Sequence, residues 1–325
     1  MAILTVLILL SALYSVTCET SCVTGCTCKL NRMTCLQLTA FPRPFITSAT
    51  IVEIFLSSLP EIPPNAFMDV PNVESIYFRQ VDIGVIRPCA FTSLGNRVSI
   101  NMELCEIGTI EANAFRNIHV TSTKEFSLSS STISRIESYA FNNIQGFQLF
   151  RMHAVDVALI QSFAMYKFSN IHEFMMADMN ITEMQSSAIE DFTNIRVMDI
   201  YHATFTYLEC NTLEKLRSQM GSNFSFHSLD FNCDCGLVWL LDASQTGSGL
   251  RLEDIICNKP ASLRHAHLRN LTSTDLCSSM SVPNCESPFP SPPNSCTRGA
   301  SAVDPLASNV FIIFLMCFSV NMFAY

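Results

Sequence analysis

The sequence has few charged residues, few glycines and a single tryptophan. Charged residues make up 14% of the 325 residues, against about 25% in average soluble domains. The formal net charge is −9, and the chain has no basic run. A nucleic-acid-binding surface needs clustered Lys and Arg, and a disordered chain needs few apolar residues. The sequence excludes both classes, and we expect no nucleic-acid partner.

Sequence motifs of common enzymes are also missing. The 10 glycines form no nucleotide fingerprint or phosphate loop, and the chain has no HExxH or GxSxG motif. No nucleophile with a neighbouring base can be assembled from the repeat positions described below. We therefore expect no enzymatic activity, no cofactor and no metal site.

Cysteine, in contrast, is abundant, and the 15 cysteines cluster towards the two ends. This usage indicates an oxidising compartment. Residues 1–18 carry an uncharged apolar run and are predicted to be a cleaved signal peptide. A transmembrane anchor is the alternative, but it needs about 20 apolar residues. Sequons at Asn180, Asn223 and Asn270 agree with secretion and predict glycosylation.

The carboxyl-terminal region resembles a glycosylphosphatidylinositol (GPI) anchor signal. Residues 279–299 form a Pro-rich stalk, and residues 300–325 would be the signal that is removed. The terminal apolar run gives about 24 Å of helix, shorter than a hydrocarbon core of about 30 Å, and no Lys or Arg follows it. A single-pass helix and a buried or secreted end are the alternatives. The predicted attachment site is Gly299, with Ala300 and Ser301 as alternatives.

A period of about 24 residues runs through the centre of the chain. An alternating apolar pair starts each copy, from Val52 and Ile54 in the first to Met198 and Ile200 in the last. This alternation predicts a short strand with one buried face, and a coil that cannot bury its own apolar face must stack on neighbours. The copies are marked by Ala66-Phe67, Ala90-Phe91, Ala114-Phe115, Ala140-Phe141, Ala164-Met165, Ala188-Ile189 and Thr212-Leu213.

This pattern resembles the extracellular leucine-rich-repeat family, with seven repeats over residues 49–220. The resemblance implies an α/β solenoid of horseshoe form. Its parallel β-sheet would line the concave face, its convex side would be mostly irregular or 3-10, and disulfide caps would cover both ends. The family places Asn, sometimes Cys, just after each strand, where this chain has Ser57, Val81, Cys105, Ser131, Val155, Met179 and Ala203. Without an Asn ladder, we expect an irregular and less rigid horseshoe.

The terminal cysteines look like the caps of this family. Residues 19–48 would form the amino-terminal cap and residues 221–278 the carboxyl-terminal cap. Zinc binding is the competing interpretation of the Cys-x-Cys pairs. The bridges implied by the resemblance are Cys22–Cys28, Cys26–Cys35, Cys233–Cys257 and Cys235–Cys277.

The other cysteines of the mature chain follow no family pattern. Cys285 and Cys296 lie in the stalk and can pair with each other, which leaves Cys89, Cys105 and Cys210 and therefore at least one free thiol. A Cys89–Cys105 bridge would join different sides of neighbouring coils, so a buried, inert thiol at Cys105 is the preferred interpretation.

Ligands of this family usually bind the concave sheet, so the resemblance implies a protein ligand there. A merely solvated surface is the alternative for any one residue. The implied function is a GPI-anchored adhesion or recognition receptor on the outer side of the plasma membrane, held to the membrane by its lipid. A secreted matrix or structural protein of the same family is the alternative. The predicted ligand-face residues are Tyr77, Arg79, Glu103, Glu125, Arg151, His153, Glu173, Asp199 and Tyr201.

Overall fold

The computed structural model describes residues 22–45, 47–92, 94–121, 123–209, 212, 224–245 and 255–277. The predicted signal peptide, Asn223, the Pro-rich stalk and the anchor signal with Gly299, Ala300 and Ser301 lie outside the described residues. No helix within the described ranges is long and apolar enough to cross a membrane.

Within these ranges the chain is built almost entirely of strands. Two short α-helices lie in the carboxyl-terminal cap, α1 (Val238–Gln245) and α2 (Ser273–Leu276). The strands are β1 (Cys26–Lys29), β2 (Arg32–Leu36), β3 (Ile51–Ile62), β4 (Ser75–Ile86), β5 (Ser99–Glu103), β6 (Glu106–Ile110), β7 (Phe115–His119), β8 (Glu125–Ile136), β9 (Phe141–Gln145), β10 (Leu149–Ile160), β11 (Met165–Ser169), β12 (Glu173–Ala177), β13 (Asn180–Met184), β14 (Ile189–Thr193), β15 (Val197–Tyr201), β16 (Thr204–Leu208), β17 (Phe224–His227), β18 (Leu229–Asn232) and β19 (Ile255–Lys259).

Successive coils of the chain stack in parallel and in register. Val52 lies opposite Ile76, and Ile76 lies opposite Ile100, so each step along the sheet is 24 residues. The step from Ile100 to Phe126 is 26 residues, because this coil is two residues longer. The predicted parallel solenoid is therefore confirmed. We number the coils by their strands in the large sheet: coil 1 holds β3, coil 2 β4, coil 3 β5 and β6, coil 4 β8, coil 5 β10, coil 6 β12 and β13, coil 7 β15 and β16, and coil 8 β17 and β18.

Each coil bends sharply in the middle of its strand region. The bend residue has a positive φ in every coil, for example 48° at Leu56 and 52° at Asp178. Because the large sheet bends there, the strand region of each coil lies on two faces. In coil 1, residues 51–55 lie on what we call the concave face and residues 58–62 on what we call the second face. A left-handed bend costs a non-glycine residue about 1–2 kcal/mol, so the stacked neighbours must hold it in place.

The interior is filled by ladders of phenylalanine. Phe115 stacks between Phe91 and Phe141, with ring centroids 4.4 Å and 4.7 Å apart. Under the concave face, the Phe126 and Phe150 rings stack at 4.5 Å. These rings are almost completely buried, so each coil contributes one or more aromatic layers to a single continuous core.

The convex side is more regular than the resemblance implies. Coils 3 to 6 carry a four-stranded parallel sheet there, in the order β14-β11-β9-β7, which we call the convex sheet. In coils 1 and 2 the same side is made of turns. Pro71 lies in this part of coil 1, and proline has no N–H to donate to a ladder.

Other groups take the place of the missing Asn ladder. Ser57 Oγ accepts the Leu38 N–H at 2.9 Å, and Ser131 Oγ accepts the Cys105 N–H at 2.9 Å. A second ladder of Glu and Gln side chains accepts backbone N–H groups from the preceding coil, which is why the coils stay regular. Its acceptors are Glu137, Gln161, Gln185 and Glu209, and its donors are Ala112, Ser138, Ser162 and Ser186.

Disulfides hold both caps. The structure pairs Cys22 with Cys28 and Cys26 with Cys35, and β1 and β2 form an antiparallel hairpin that continues the sheet from β3. At the other end, Cys233 pairs with Cys257 and Cys235 with Cys277. These are the pairings that the family resemblance implies. Disulfides of this kind persist in oxidising compartments, which indicates an extracellular location.

The two cysteines inside the repeats differ. Cys89 is disulfide-bonded. Cys105 is the free thiol among the described cysteines, and it is buried. Burial raises the pKa of the Cys105 thiol to about 11, so it is an inert core residue.

Candidate ligand-binding surface

The structure places every predicted ligand-face residue on the concave face. Alternation along each strand buries one residue under the sheet and directs the next outward, as for the buried Met152 between Arg151 and His153. The outward residues lie on β4 (Tyr77, Arg79), β5 (Glu103), β8 (Glu125), β10 (Arg151, His153), β12 (Glu173) and β15 (Asp199, Tyr201).

The amino-terminal part of this face is tied together by one carboxylate. The Tyr77 hydroxyl donates a hydrogen bond to Glu103, and Arg79 Nε lies 3.6 Å from the same carboxylate. Burial, and then the bond to Glu103, raise the pKa of Tyr77. Phe55 contacts the Tyr77 ring edge-on at 5.6 Å. Tyr77, Arg79 and Glu103 are therefore fixed relative to one another in the absence of a partner.

The centre of the face carries charges that are not paired with each other. Glu125 and Glu173 lie on either side of Leu149, while Arg151 lies between Ser127 and Met175. A diagonal step on a sheet separates Cα atoms by about 7–8 Å. Arg151 Nε is buried and has no hydrogen-bond partner among the described residues. The repeat pattern predicts one patch for these residues, but the structure shows no ion pair among them within its described part.

The carboxyl-terminal part holds a histidine cluster that the repeat pattern did not identify. His153 Nε2 lies 3.0 Å from Asp178 Oδ2, and His202 Nδ1 lies 3.4 Å from Asp178 Oδ1. The Tyr201 ring stacks on His227 with centroids 5.4 Å apart and planes 4° apart. Each of the side chains of His153, Asp178 and His202 is about half exposed. These side chains come from four neighbouring coils, 5 to 8, and form one group.

Three members of this group are absent from the predicted ligand-face residues, for two different reasons. Asp178 and His202 are the bend residues of coils 6 and 7, a position that the apolar repeat leaves undefined. His227 lies on β17, which continues the concave face by one strand beyond the predicted repeats. A signal was available for His227, because Phe224 and Phe226 alternate like the strand residues of the other coils.

The two described sequons lie away from the concave face. Asn180 is the exposed first residue of β13 on the second face, and Asn270 is exposed in a short 3-10 helix of the carboxyl-terminal cap. In the part of the chain that the structure describes, no group of three or more His, Cys, Asp or Glu residues is arranged to hold a metal ion. The concave face carries a row of aromatic, Arg, His and carboxylate groups, among which Tyr and Arg are residue types that anchor protein interfaces.

Two solved structures are weakly similar to this chain. Among solved structures, the chain is similar to human 5T4 (Wnt-activated inhibitory factor 1, trophoblast glycoprotein), with 14% identity, 79% of this chain and 99% of that chain covered, and a TM-score of 0.37. It is also similar to a chain from the octameric complex of latrophilin 3, Unc5D and FLRT2, with 16% identity, coverages of 81% and 100%, and a TM-score of 0.32. A search of curated proteins finds no match.

A family model gives the assignment. The BspA-type leucine-rich-repeat region matches in six copies over residues 44–126 and 108–226. These segments include most of the phenylalanine ladders, of the bends and of the concave face, and together they cover more than half of the chain. The chain belongs to the BspA-type leucine-rich-repeat family.

Proposed function

We propose that this protein is a cell-surface receptor for adhesion or recognition that binds a protein ligand on its concave face. A GPI anchor at Gly299, or alternatively at Ala300 or Ser301, would hold it on the outer side of the plasma membrane. The disulfide-bonded caps support an extracellular location. Glycans on Asn180 and Asn270 would leave the concave face open, since neither residue lies on it.

The observation that carries this proposal is the surface around Arg151 and Tyr201. Arg151 Nε is buried without a hydrogen-bond partner among the described residues, so a ligand carboxylate or carbonyl would satisfy it. Tyr201 is already fixed by its stack on His227 and by a contact from its hydroxyl to Met175 Sδ at 3.7 Å. Arg and Tyr side chains are common binding hot spots, and a side chain that is already held in place before binding loses little conformational entropy when the ligand binds.

The test is a binding screen followed by matched substitutions. A soluble form covering residues 19–299 is screened against cells that each display one extracellular protein. The double variant Arg151→Glu with Tyr201→Ala should then weaken binding of the ligand found by about 30-fold or more, because the loss of even one hot-spot residue costs about 2 kcal/mol.

The control makes the same chemical changes away from the concave face. Lys167 is exposed on the convex sheet and Tyr207 is exposed on the second face. The variant Lys167→Glu with Tyr207→Ala should bind normally. Loss of binding in this control with full binding by the concave variant would place the ligand on another face.

Anchoring is tested separately with phosphatidylinositol-specific phospholipase C. Full-length protein on cells should be released by the enzyme, because small residues at 299–301, a short spacer and an apolar run follow one another in the order of a GPI signal. Protein that stays on the cell after complete digestion and keeps a carboxyl-terminal label would show a membrane-spanning end. Protein found only in the medium would support the secreted matrix alternative.

A further inference from the structure

A shallow groove crosses coils 4 to 6 on the second face. Its volume is about 230 Å³. This is several times the roughly 30 Å³ of one water molecule in the liquid, and less than the roughly 300–1,000 Å³ that is usual for drug-sized ligands. The groove therefore has room for a small ring, such as a sugar. Its outward lining residues are Thr132, Ser134, Asp156, Ala158, Asn180 and Thr182.

The groove follows from the way the coils stack. One outward position of each coil on the second face comes close to the backbone of the preceding coil. At Gly84 and Gly108, a Cβ atom would collide with the carbonyl oxygen of that coil. In coils 4 and 5 the same position holds the small residues Ser134 and Ala158. These small side chains form the floor, and the larger side chains two residues earlier in each strand form the wall.

The polar side chains of the groove are not used by the fold. Thr132, Asp156 and Thr182 are exposed, and their side chains make no hydrogen bond or ion pair to any residue that the structure describes. In coils 1 and 2, by contrast, Ser58 Oγ donates to Asp82 Oδ2 at 3.3 Å on the same row. Free carboxylate and hydroxyl groups beside a small methyl surface suit a sugar, because sugar hydroxyls both donate and accept hydrogen bonds.

One wall of the groove is itself a predicted glycosylation site. Asn180 and Thr182 belong to the sequon Asn-Ile-Thr, and Asn180 lies opposite Asp156 in the parallel register. A sugar on the Asn180 amide would therefore start about one sheet step, or 4.8 Å, from the backbone of Asp156. Covalent attachment by a short link gives a roughly millimolar effective concentration in the groove, so weak contacts are enough to hold the sugar there.

We infer that this groove is a carbohydrate site, occupied by the first sugars of an N-linked glycan on Asn180. The glycan lies flat from Asn180 over Ala158 towards Thr132, two sheet steps or about 10 Å away. Asp156 accepts hydrogen bonds from sugar hydroxyls, and the Ala158 methyl group packs against a sugar ring. The inference rests on the extracellular location in the proposed function, and it needs neither the protein ligand nor the lipid anchor.

The attachment is ordinary N-glycosylation. The amide nitrogen of Asn180 forms a bond to C1 of the first N-acetylglucosamine of a lipid-linked oligosaccharide. The C1–O bond to the lipid pyrophosphate breaks, and the pyrophosphate leaves with the bonding electron pair. The amide nitrogen gives up one proton. No oxidant or reductant takes part.

Deglycosylation of the folded protein measures whether the groove holds the glycan. Full-length protein from secretory cells is treated with peptide-N-glycosidase F without denaturant, and release at each Asn is followed by mass spectrometry. Release at Asn180 should be about tenfold slower than at Asn270, an exposed sequon in the carboxyl-terminal cap, because each of two hydrogen bonds contributes a factor of roughly 2 to 10. After denaturation the two rates should agree.

The glycan itself separates this inference from the proposed function. Protein that carries a glycan on Asn270 but none on Asn180 would overturn the inference and still agree with an extracellular location. Protein with no glycan at all would contradict both. Equal release rates at Asn180 and Asn270 in the folded protein would show that the groove is empty.

Substitutions separate contact with the groove from simple rigidity of the strand. Thr132→Arg places a cation opposite Asp156, where an ion pair would fill the groove and occupy the carboxylate. Release at Asn180 should then become about tenfold faster. Ser58→Arg is the matched control, because it places the same side chain opposite Asp82 on the same row, outside the groove. Both substituted residues are exposed, so the core is undisturbed.

The control should leave the release rate at Asn180 unchanged. Asp156→Ala should speed release several-fold, since it removes the charged acceptor without filling the groove. Slow release at Asn180 that neither Thr132→Arg nor Asp156→Ala speeds would overturn the inference, because strand rigidity alone would then protect the bond.

Discussion

The phenylalanine ladder predicts a large and localised cost for replacing Phe115 by Ala. Phe115 is fully buried and stacks on Phe91 and Phe141, and its edge contacts Phe126 at 5.5 Å. Each of those rings is held by its own coil through the parallel strands. The cavity left by the substitution therefore cannot close by a small shift of one side chain.

The expected magnitude follows from these contacts. Phe→Ala in a core typically costs about 3–5 kcal/mol, and the cost rises where the site cannot collapse. Each lost aromatic pair adds about 0.5–1.5 kcal/mol beyond the buried area. We therefore expect a loss near the upper end, about 4–5 kcal/mol. This is a large part of the total stability of about 5–15 kcal/mol that is usual for a folded domain.

Urea unfolding of the disulfide-intact protein, followed by circular dichroism, measures this loss. With an m-value of about 2–3 kcal/mol/M, the midpoint should fall by roughly 1.3–2.5 M. Phe55→Ala is the matched control, because Phe55 is only partly buried and makes one edge contact with Tyr77. Its cost should be about 1 kcal/mol. Equal midpoints for the two variants would refute the view that the ladder is a rigid, continuous core.

Two further predictions concern the cysteines. Cys257→Ser should reduce secretion far more than Cys105→Ser, because loss of a cap disulfide costs about 2–5 kcal/mol and uncovers the last coil. Secretion is measured by immunoblot of the medium. Similar secretion of both variants would contradict the cap assignment. Since burial raises the pKa of Cys105 to about 11, native protein at pH 8 should resist iodoacetamide and react only after unfolding; labelling should increase as the pH approaches 11, and rapid labelling at pH 8 would show an accessible thiolate.

The register and the core could be predicted from sequence because burial determines them. Slipping a strand by one residue would turn every inward side chain outward. Ile76 and Phe78 therefore have to align with Val52 and Ile54, and they do. The same constraint predicts that Arg151 and His153 point outward from one strand, and β10 directs both of them to the concave face.

The convex sheet and the substitutes for the Asn ladder could not be predicted in this way. Whether a backbone N–H finds a partner depends on which side chain reaches it from the next coil. Gln161 and Glu209 do this from positions that the family pattern leaves undefined. The missing Asn motif therefore predicts a less regular horseshoe, whereas in the structure other side chains accept hydrogen bonds from the backbone N–H groups.

The bends of the solenoid explain why its most distinctive surface residues are found there. An inward position must be apolar and of fixed size, and an outward strand position must alternate, but a bend residue needs only to tolerate a positive φ. The chain has few glycines, so side chains with their own chemistry occupy these corners. Asp178 lies beside two histidines at one corner, and the Tyr139 and Phe163 rings stack on each other at another. Bulky residues at such φ values are uncommon and costly, and they persist where their contacts hold them. The corners are thus the places where this repeat can gain a binding site without any change to its core.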